Sequence, residues 1–252
     1  MTFNKNIKVD KELVWISPKE IHLWIGNYKS NKESHDRMMS VLSLSEIQRA
    51  NTFHFHNDRE NYMKAHSLLR LILSKYSGVC PQEIDFESGA YGKPYLKCRN
   101  KINFNLSHTK EMIAVAVSSD SNVGIDIERQ DYIDDIENVA RQFMSDAELR
   151  DMSCLESSTR NTYFYQCWVQ KEALVKASGR GIDDHLRFLS VMDGFRLEEA
   201  KTISTCFEET PNSWWLQTFE LTPDHLGAVC IESADAQAYT IKLRHDDVFE
   251  CY

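Results

Sequence analysis

The sequence predicts an α+β fold made of two similar halves. Three observations predict it. Helical periodicity and strand alternation occur in separate blocks. Each half runs helices first and strands second. A faint repeat links the halves: TKEMIAVAVSS (109–119) resembles PDHLGAVCIES (223–233), sharing Ala114 with Ala228, Val115 with Val229 and Ser119 with Ser233. The polar SSDSN at 118–122 is the best boundary, which gives an N-terminal half over 1–120 and a C-terminal half over 121–252.

The elements follow in order. Ser43 or Ser45 can cap a short helix running to Phe53, and Asn57 a longer one. In the longer one Ala65, Leu68, Leu69, Ile72, Leu73 and Tyr76 recur at three- and four-residue spacing, and Gly78 ends it. KINFNLSH alternates at Ile102, Phe104 and Leu106; MIAVAVS reads as a more buried strand; NVGIDIE alternates at Val123, Ile125 and Ile127. A helical region is expected over about 133–143. SDAE (145–148) is a capping box, and a long helix is expected from Thr159 to Ser178. Strands return at RFLSVM, FRLEEA, TISTCFE, WWLQTFEL and GAVCIES.

Composition narrows the function. The chain has 252 residues, 42% hydrophobic and 27% charged, the balance of a soluble globular protein. A net charge of -9 argues against broad nucleic-acid binding but leaves room for a local basic pocket. Seven scattered cysteines contain no CxxC pair, which removes zinc-finger and thioredoxin readings and suits reduced thiols in the cytoplasm. MTFNKNIKVDKEL lacks the apolar run of a signal peptide, and the longest apolar run, MIAVAV, is too short to span a bilayer. The chain is therefore expected to be cytoplasmic, with no membrane and no nucleic-acid partner. There is no GxGxxG, Walker loop or GxSxG elbow. His54 and His56 read as surface or structural residues.

Two stretches carry chemistry. In GIDIE (124–128), strand alternation points Asp126 and Glu128 the same way, ~7 Å apart. Such a pair is either a solvated outer face or a site for a cation; hard oxygen ligands suit Mg²⁺. In WVQKEALVKASGRG (168–181), Glu172 and Lys176 share a helix face with Trp168 one turn earlier. The plain reading is a surface ion pair worth ~0.2–0.5 kcal/mol. The sharper one is a third metal carboxylate beside a phosphate-facing lysine. Lys93 in GAYGKPYL sits on a rigid Gly/Pro turn, and Ser107 and His108 lie where a strand ends. Each also has an ordinary turn reading. Arg49 and Arg59 flank the helix junction.

Taken together, GIDIE and WVQKEALVKASGRG resemble the signature pair of the 4′-phosphopantetheinyl transferases of the surfactin-synthetase-activating type, with 46 positions from Asp126 to Glu172. YGKPYL resembles the family's GKP turn, FNLSHT its SH motif, and LLRLILSKYSG its arginine-bearing helix. The resemblance spans about 43–235. It implies two α+β halves in a pseudo-twofold arrangement, in a monomer. It implies transfer of the phosphopantetheine arm of coenzyme A to a serine of an acyl, peptidyl or aryl carrier protein, releasing adenosine 3′,5′-bisphosphate with Mg²⁺.

By position, Asp126, Glu128 and Glu172 match the metal ligands and Lys176 the pyrophosphate lysine. Lys93, Ser107, His108 and Arg49 match nucleotide-phosphate contacts, and Glu172 is also the candidate base. Two departures stand out: Ile127 between the first two carboxylates leaves the ion's shell to water, and Glu46 and His66 replace basic residues common in relatives. By analogy the segment 181–191, with Asp183, Asp184 and Arg187, borders the carrier cleft. Two competing readings keep the motifs: a Mg²⁺-dependent hydrolase of a nucleotide pyrophosphate, and a non-catalytic module that binds coenzyme A or a carrier.

Overall fold

The computed structural model describes residues 13–27, 32–97, 101–180, 184–192, 200–207, 210–233 and 239–244. It is an α+β fold in which two four-stranded sheets are stacked and each carries a long helix on its outer face. The first sheet contains β1 (Glu20–Asn27), β4 (Asn103–His108), β5 (Met112–Ser118) and β10 (Thr240–Arg244), in the order β10-β1-β5-β4. The second contains β6 (Val123–Arg129), β7 (Ala200–Phe207), β8 (Thr210–Thr222) and β9 (His225–Glu232), in the order β6-β9-β8-β7. Only the β1–β10 pairing is parallel within these two sheets. A small hairpin of β2 (Phe86–Ser88) and β3 (Pro94–Leu96) stands apart. The helices are α1 (Lys32–Val41), α2 (Leu44–Ala50), α3 (His56–Ser77), α4 (Ile136–Ala140), α5 (Asp146–Ser153) and α6 (Ser157–Ser178).

Side-chain alternation builds the layers. In β5, Ile113, Val115 and Val117 pack with Leu68, Leu69, Ile72 and Leu73 of α3. Its other face, Met112, Ala114 and Ala116, meets Val123, Ile125, Ile127, Val229 and Ile231 of the second sheet. Beyond that sheet, Leu226, Ala228 and Cys230 pack with Cys167, Ala173, Leu174 and Ala177 of α6. A strand buried on both faces needs no polar alternation, which is why MIAVAV reads as one apolar run.

Both segments of the faint repeat contain strands, β5 and β9, but their shared positions face different ways. Ala114 faces the opposite sheet, whereas Ala228 faces a helix. A one-residue offset exchanges the two faces of a strand.

Several local expectations hold. Ser43 and Ser145 both form capping boxes, with Glu46 and Glu148, and Gly78 ends α3. Others are corrected. Phe55 rather than Asn57 precedes the first turn of α3, and it makes no side-chain cap. The helix expected over 133–143 shrinks to the five residues of α4. RFLSVM is not a strand: a 3₁₀ turn covers Asp184–Phe188, and the chain beyond it is irregular. Its backbone is engaged elsewhere, as described below. Most of FRLEEA, and Gly181 to Asp183, lie outside the described residues.

Near α2 a buried carboxylate ties α2 to α3. Glu46 accepts hydrogen bonds from Arg70 Nε (2.6 Å), the Ser43 N–H (2.8 Å) and His66 Nδ1 (3.4 Å). Burial, the largest single influence, pushes its pKa up. The bonds from His66, Arg70 and Ser43 together overcome it and bring the value down to about 2. A carboxylate lowered on folding stabilises above its unfolded pKa, and that stability is lost as pH falls from about 4.5 toward 2. Glu46→Gln should therefore flatten the acid limb of the stability curve across that window. Urea unfolding at pH 2.5, 4 and 6 measures this; a parallel downward shift at every pH would contradict it.

Candidate active site

The site forms where the two sheets meet edge to edge, at β4 and β6. These strands are joined by side chains reaching across. Asn105 Oδ1 accepts from the Ile125 N–H (2.9 Å), and Ser107 Oγ accepts from the Ile127 N–H (3.2 Å). Residues two apart on one strand thus meet N–H groups two apart on the other, matching the strand repeat.

The face of β6 opposite the inter-sheet core holds Gly124, Asp126 and Glu128, and α6 covers it. Gly124 is where helix and strand touch. A Cβ there would lie 2.1 Å from the Ala173 carbonyl oxygen and 2.3 Å from the Ala177 nitrogen. Backbone atoms cannot yield as a side-chain tip does, so the approach requires glycine. Gly124→Ala should lower stability by about 1–3 kcal/mol by forcing α6 away from β6. Thermal unfolding would show this; an unchanged midpoint would refute the contact.

This contact aligns Trp168, Glu172 and Lys176 of α6 over Asp126 and Glu128. All five line a cavity of about 290 Å³ together with Leu106, Ser107 and His108. A neighbouring cavity of about 310 Å³ shares Glu172 and Lys176 and is lined by Tyr91, Lys93, Pro94, Asn105 and Gly179. Gly179 caps α6 with φ +69°, a left-handed conformation that glycine adopts without penalty.

Lys176 does not pair with Glu172, its neighbour one turn away. Its Nζ lies 2.6 Å from Asp126 Oδ1 and 3.3 Å from Ser107 Oγ, and that hydroxyl donates to the same Asp126 oxygen at 2.9 Å. Trp168 Nε1 donates to Glu128 Oε1 at 3.2 Å. Two carboxylate oxygens are left over. Asp126 Oδ2 and Glu172 Oε1 are buried with no hydrogen-bond partner.

The electrostatics follow from crowding. Burial raises the Asp126 pKa more than Lys176 and Ser107 lower it. Burial and then the Asp126 charge push Glu128 up to about 7. Glu172 is raised by the same two causes in the same order. Three carboxyl groups whose charged forms are each disfavoured call for a positive charge among them.

The residues fit a hard divalent cation. The donors are all oxygen, two of them are buried and unsatisfied on different elements, and a cavity of about 290 Å³ leaves room for further oxygen ligands. Among the described residues, no three such side chains already converge at metal-holding distance. Asp126 is turned toward Lys176 and Glu128 toward Trp168. Carboxylates repel until a cation gathers them.

The other expected residues are placed as follows. His108 lies at the cavity rim; partial desolvation, then the charges of Lys176 and His66, lower its pKa. Ser107 has its hydroxyl committed to β6 and Asp126. Lys93 is 8% exposed, and its amine donates to the Val123 and Ala177 carbonyls, both at 3.0 Å, fastening the YGKP turn to the β6–α6 contact. Arg49 is exposed at the end of α2, with its guanidinium 5.5 Å from the Phe53 ring, and does not line either cavity.

One residue of WVQKEALVKASGRG escaped the sequence reading. Lys171 is fully buried, 2.7 Å from Glu148 Oε2. Its amine also donates to the carbonyls of Phe143 (2.8 Å), Leu186 (2.8 Å) and Leu189 (2.7 Å). Glu148 in turn accepts from the N–H groups of Ser145, Val191 and Met192. The segment read as the strand RFLSVM is thus held by one buried ion pair. A KE dipeptide gives no hint of this, because the partners are backbone groups from separate segments.

Comparison with known families covers both halves. Residues 122–230 match the 4′-phosphopantetheinyl transferase superfamily, and residues 26–120 match the family described as 4′-phosphopantetheinyl transferase, N-terminal. Among curated relatives, 4′-phosphopantetheinyl transferase HetI of Nostoc sp. is 31% identical over 212 residues, covering 81% of this chain and 84% of the relative. Two from Bacillus subtilis, ffp and Sfp, bear the same enzyme name. They are 29% and 27% identical over 205 residues, each covering 81% of this chain and 88% of its own.

Proposed function

The chain belongs to the 4′-phosphopantetheinyl transferase superfamily and is a transferase of that kind, and we propose that it moves the arm of coenzyme A onto a carrier-protein serine with Mg²⁺ held by Asp126, Glu128 and Glu172. The observation that carries this reading is the pair of buried, unpartnered oxygens, Asp126 Oδ2 and Glu172 Oε1, in one cavity beside Lys176. When bound, the cation supplies charge neutralisation for the pyrophosphate oxygens and the departing bisphosphate.

The chain's own groups perform the rest. Lys176 is half-buried and reaches the cavity from α6, so its ammonium meets the pyrophosphate as a point charge. Ser107 fixes the Asp126 carboxylate, leaving Oδ2 for the ion. In the transfer, the carrier serine Oγ bonds to the phosphorus bearing the arm. The bridging P–O bond breaks, and adenosine 3′,5′-bisphosphate leaves with the electron pair. The serine proton passes to Glu172, whose carboxyl group lines the same cavity. His108, at the cavity rim, offers an imidazole N–H to a nucleotide phosphate. Lys93 and Ser107 support the site through backbone and carboxylate contacts. Arg49 lies outside the cavities, so a role for it requires the substrate to extend over α2.

Among the described residues no helix is long and apolar enough to cross a membrane. We propose that the enzyme acts as a monomer in the cytoplasm, with the two halves divided at 118–122. Its partners are coenzyme A and an apo carrier.

Intact-mass measurement tests the reading. Apo carrier protein incubated with the enzyme, coenzyme A and Mg²⁺ should gain one phosphopantetheine arm, and the gain should vanish with a chelator. Coenzyme A should stay intact without a carrier. Its breakdown to phosphopantetheine would favour the hydrolase instead.

A further inference from the structure

We infer that Trp168 is a positioning residue whose indole N–H orients the Glu128 carboxylate for the cation; this rests on the metal reading above. Glu128 extends from β6 one strand repeat beyond Asp126, where the strand leaves the core and its side chain is only half-buried. A flexible carboxylate in that position has several rotamers and two like-charged neighbours pushing it toward solvent. Trp168 counters this. Its Nε1–H binds Glu128 Oε1 at 3.2 Å, and both residues line the same cavity. With Oε1 held by the indole, Oε2 is the oxygen offered to an ion.

The indole is itself fixed. Its ring meets the Phe143 ring edge-on, 4.8 Å between centroids and 83° between planes. The Phe143 carbonyl is one of the acceptors of buried Lys171. A chain of contacts therefore runs from the Lys171–Glu148 pair through Phe143 and Trp168 to Glu128. An indole also has no acceptor and no titrating group, so it can hold a carboxylate without competing for a cation. Phenylalanine at this position would keep the packing and lose the donor. Groups that orient metal ligands in this way typically account for 10- to 100-fold in metal affinity or activity.

The test is a Mn²⁺ titration followed by the electron paramagnetic resonance signal of the free ion, on the full chain. Trp168→Phe should bind Mn²⁺ about tenfold more weakly than the unaltered protein, with an unchanged unfolding midpoint. Glu128→Asp, which draws the carboxylate back by one methylene from the indole, should weaken binding similarly. Adding Trp168→Phe to Glu128→Asp should then have no further effect. Equal binding by Trp168→Phe and the unaltered protein would overturn the inference while leaving the metal site standing. So would a penalty that persists in full on top of Glu128→Asp. No Mn²⁺ binding by the unaltered protein would overturn the metal reading itself. If Trp168→Phe does not fold, Glu128→Asp decides: binding equal to the unaltered protein would refute the inference.

Discussion

Asp126→Asn should lower transfer to a carrier at least ~10³-fold and leave the fold intact. Charge stabilisation by a bound cation is worth several kcal/mol, and each ~1.4 kcal/mol is tenfold in rate. The amide fills the same space as the carboxylate. Its oxygen can still accept from Ser107 and Lys176, as Asp126 Oδ1 does. Its NH₂ then takes the place of Oδ2, setting a donor where an ion needs an acceptor. The stability side follows from the sign of the pKa shift. Burial raises the Asp126 pKa, so at neutral pH its charge costs folding energy, and a neutral isostere removes that cost. The unfolding midpoint should be unchanged or slightly higher. Transfer within tenfold of the unaltered enzyme would refute the assignment; collapse of the fold would show that Asp126 is structural.

Lys171→Met should cost about 3–5 kcal/mol of stability, the range for removing one partner of a buried ion pair. Lys171 and Glu148 are both essentially inaccessible, so neither charge can find water once the other is gone. Pairs of this kind can often be replaced together by apolar side chains without loss. Here they should not be. Lys171 also satisfies three carbonyls, and Glu148 satisfies three backbone N–H groups. Replacing both as Glu148→Leu with Lys171→Met orphans all six, and each buried orphan costs roughly 1–3 kcal/mol. Urea unfolding of the single and double variants measures this. Recovery in the double variant would mean that the backbone bonds are unimportant. Hydrogen exchange should also show the Val191 N–H losing protection in both variants.

The contrast between these residues shows what a sequence discloses. Asp126, Glu172 and Lys176 were legible because each belongs to a local pattern with a fixed geometry. Alternation puts Asp126 and Glu128 on one face of β6, and four-residue spacing aligns Trp168, Glu172 and Lys176 on α6. The plain reading of that helix face, an ion pair between Glu172 and Lys176, does not hold: Lys176 binds Asp126 across the cleft instead. Lys171 was not legible, because its carbonyl partners have no side-chain signature. RFLSVM failed for the same reason, since an apolar segment gives no sign that Lys171 and Glu148 have taken its backbone groups.

The α+β class and most strands near the site could be read from alternation. The strand β10 could not, because it is five residues long and pairs with β1 from the far end of the chain. The placement of Ser107 turned on a contact across the β4–β6 junction and that of Lys93 on carbonyls of β6 and α6, which no single segment encodes.

The two unpartnered oxygens of Asp126 and Glu172 should share one cation. Crystals grown with Mn²⁺ and coenzyme A test it through an anomalous difference map. One peak is predicted between β6 and α6, within coordination distance of Asp126 Oδ2 and Glu172 Oε1, with Lys176 on the pyrophosphate. An ordered pyrophosphate in the cleft with no anomalous peak beside either carboxylate would contradict it.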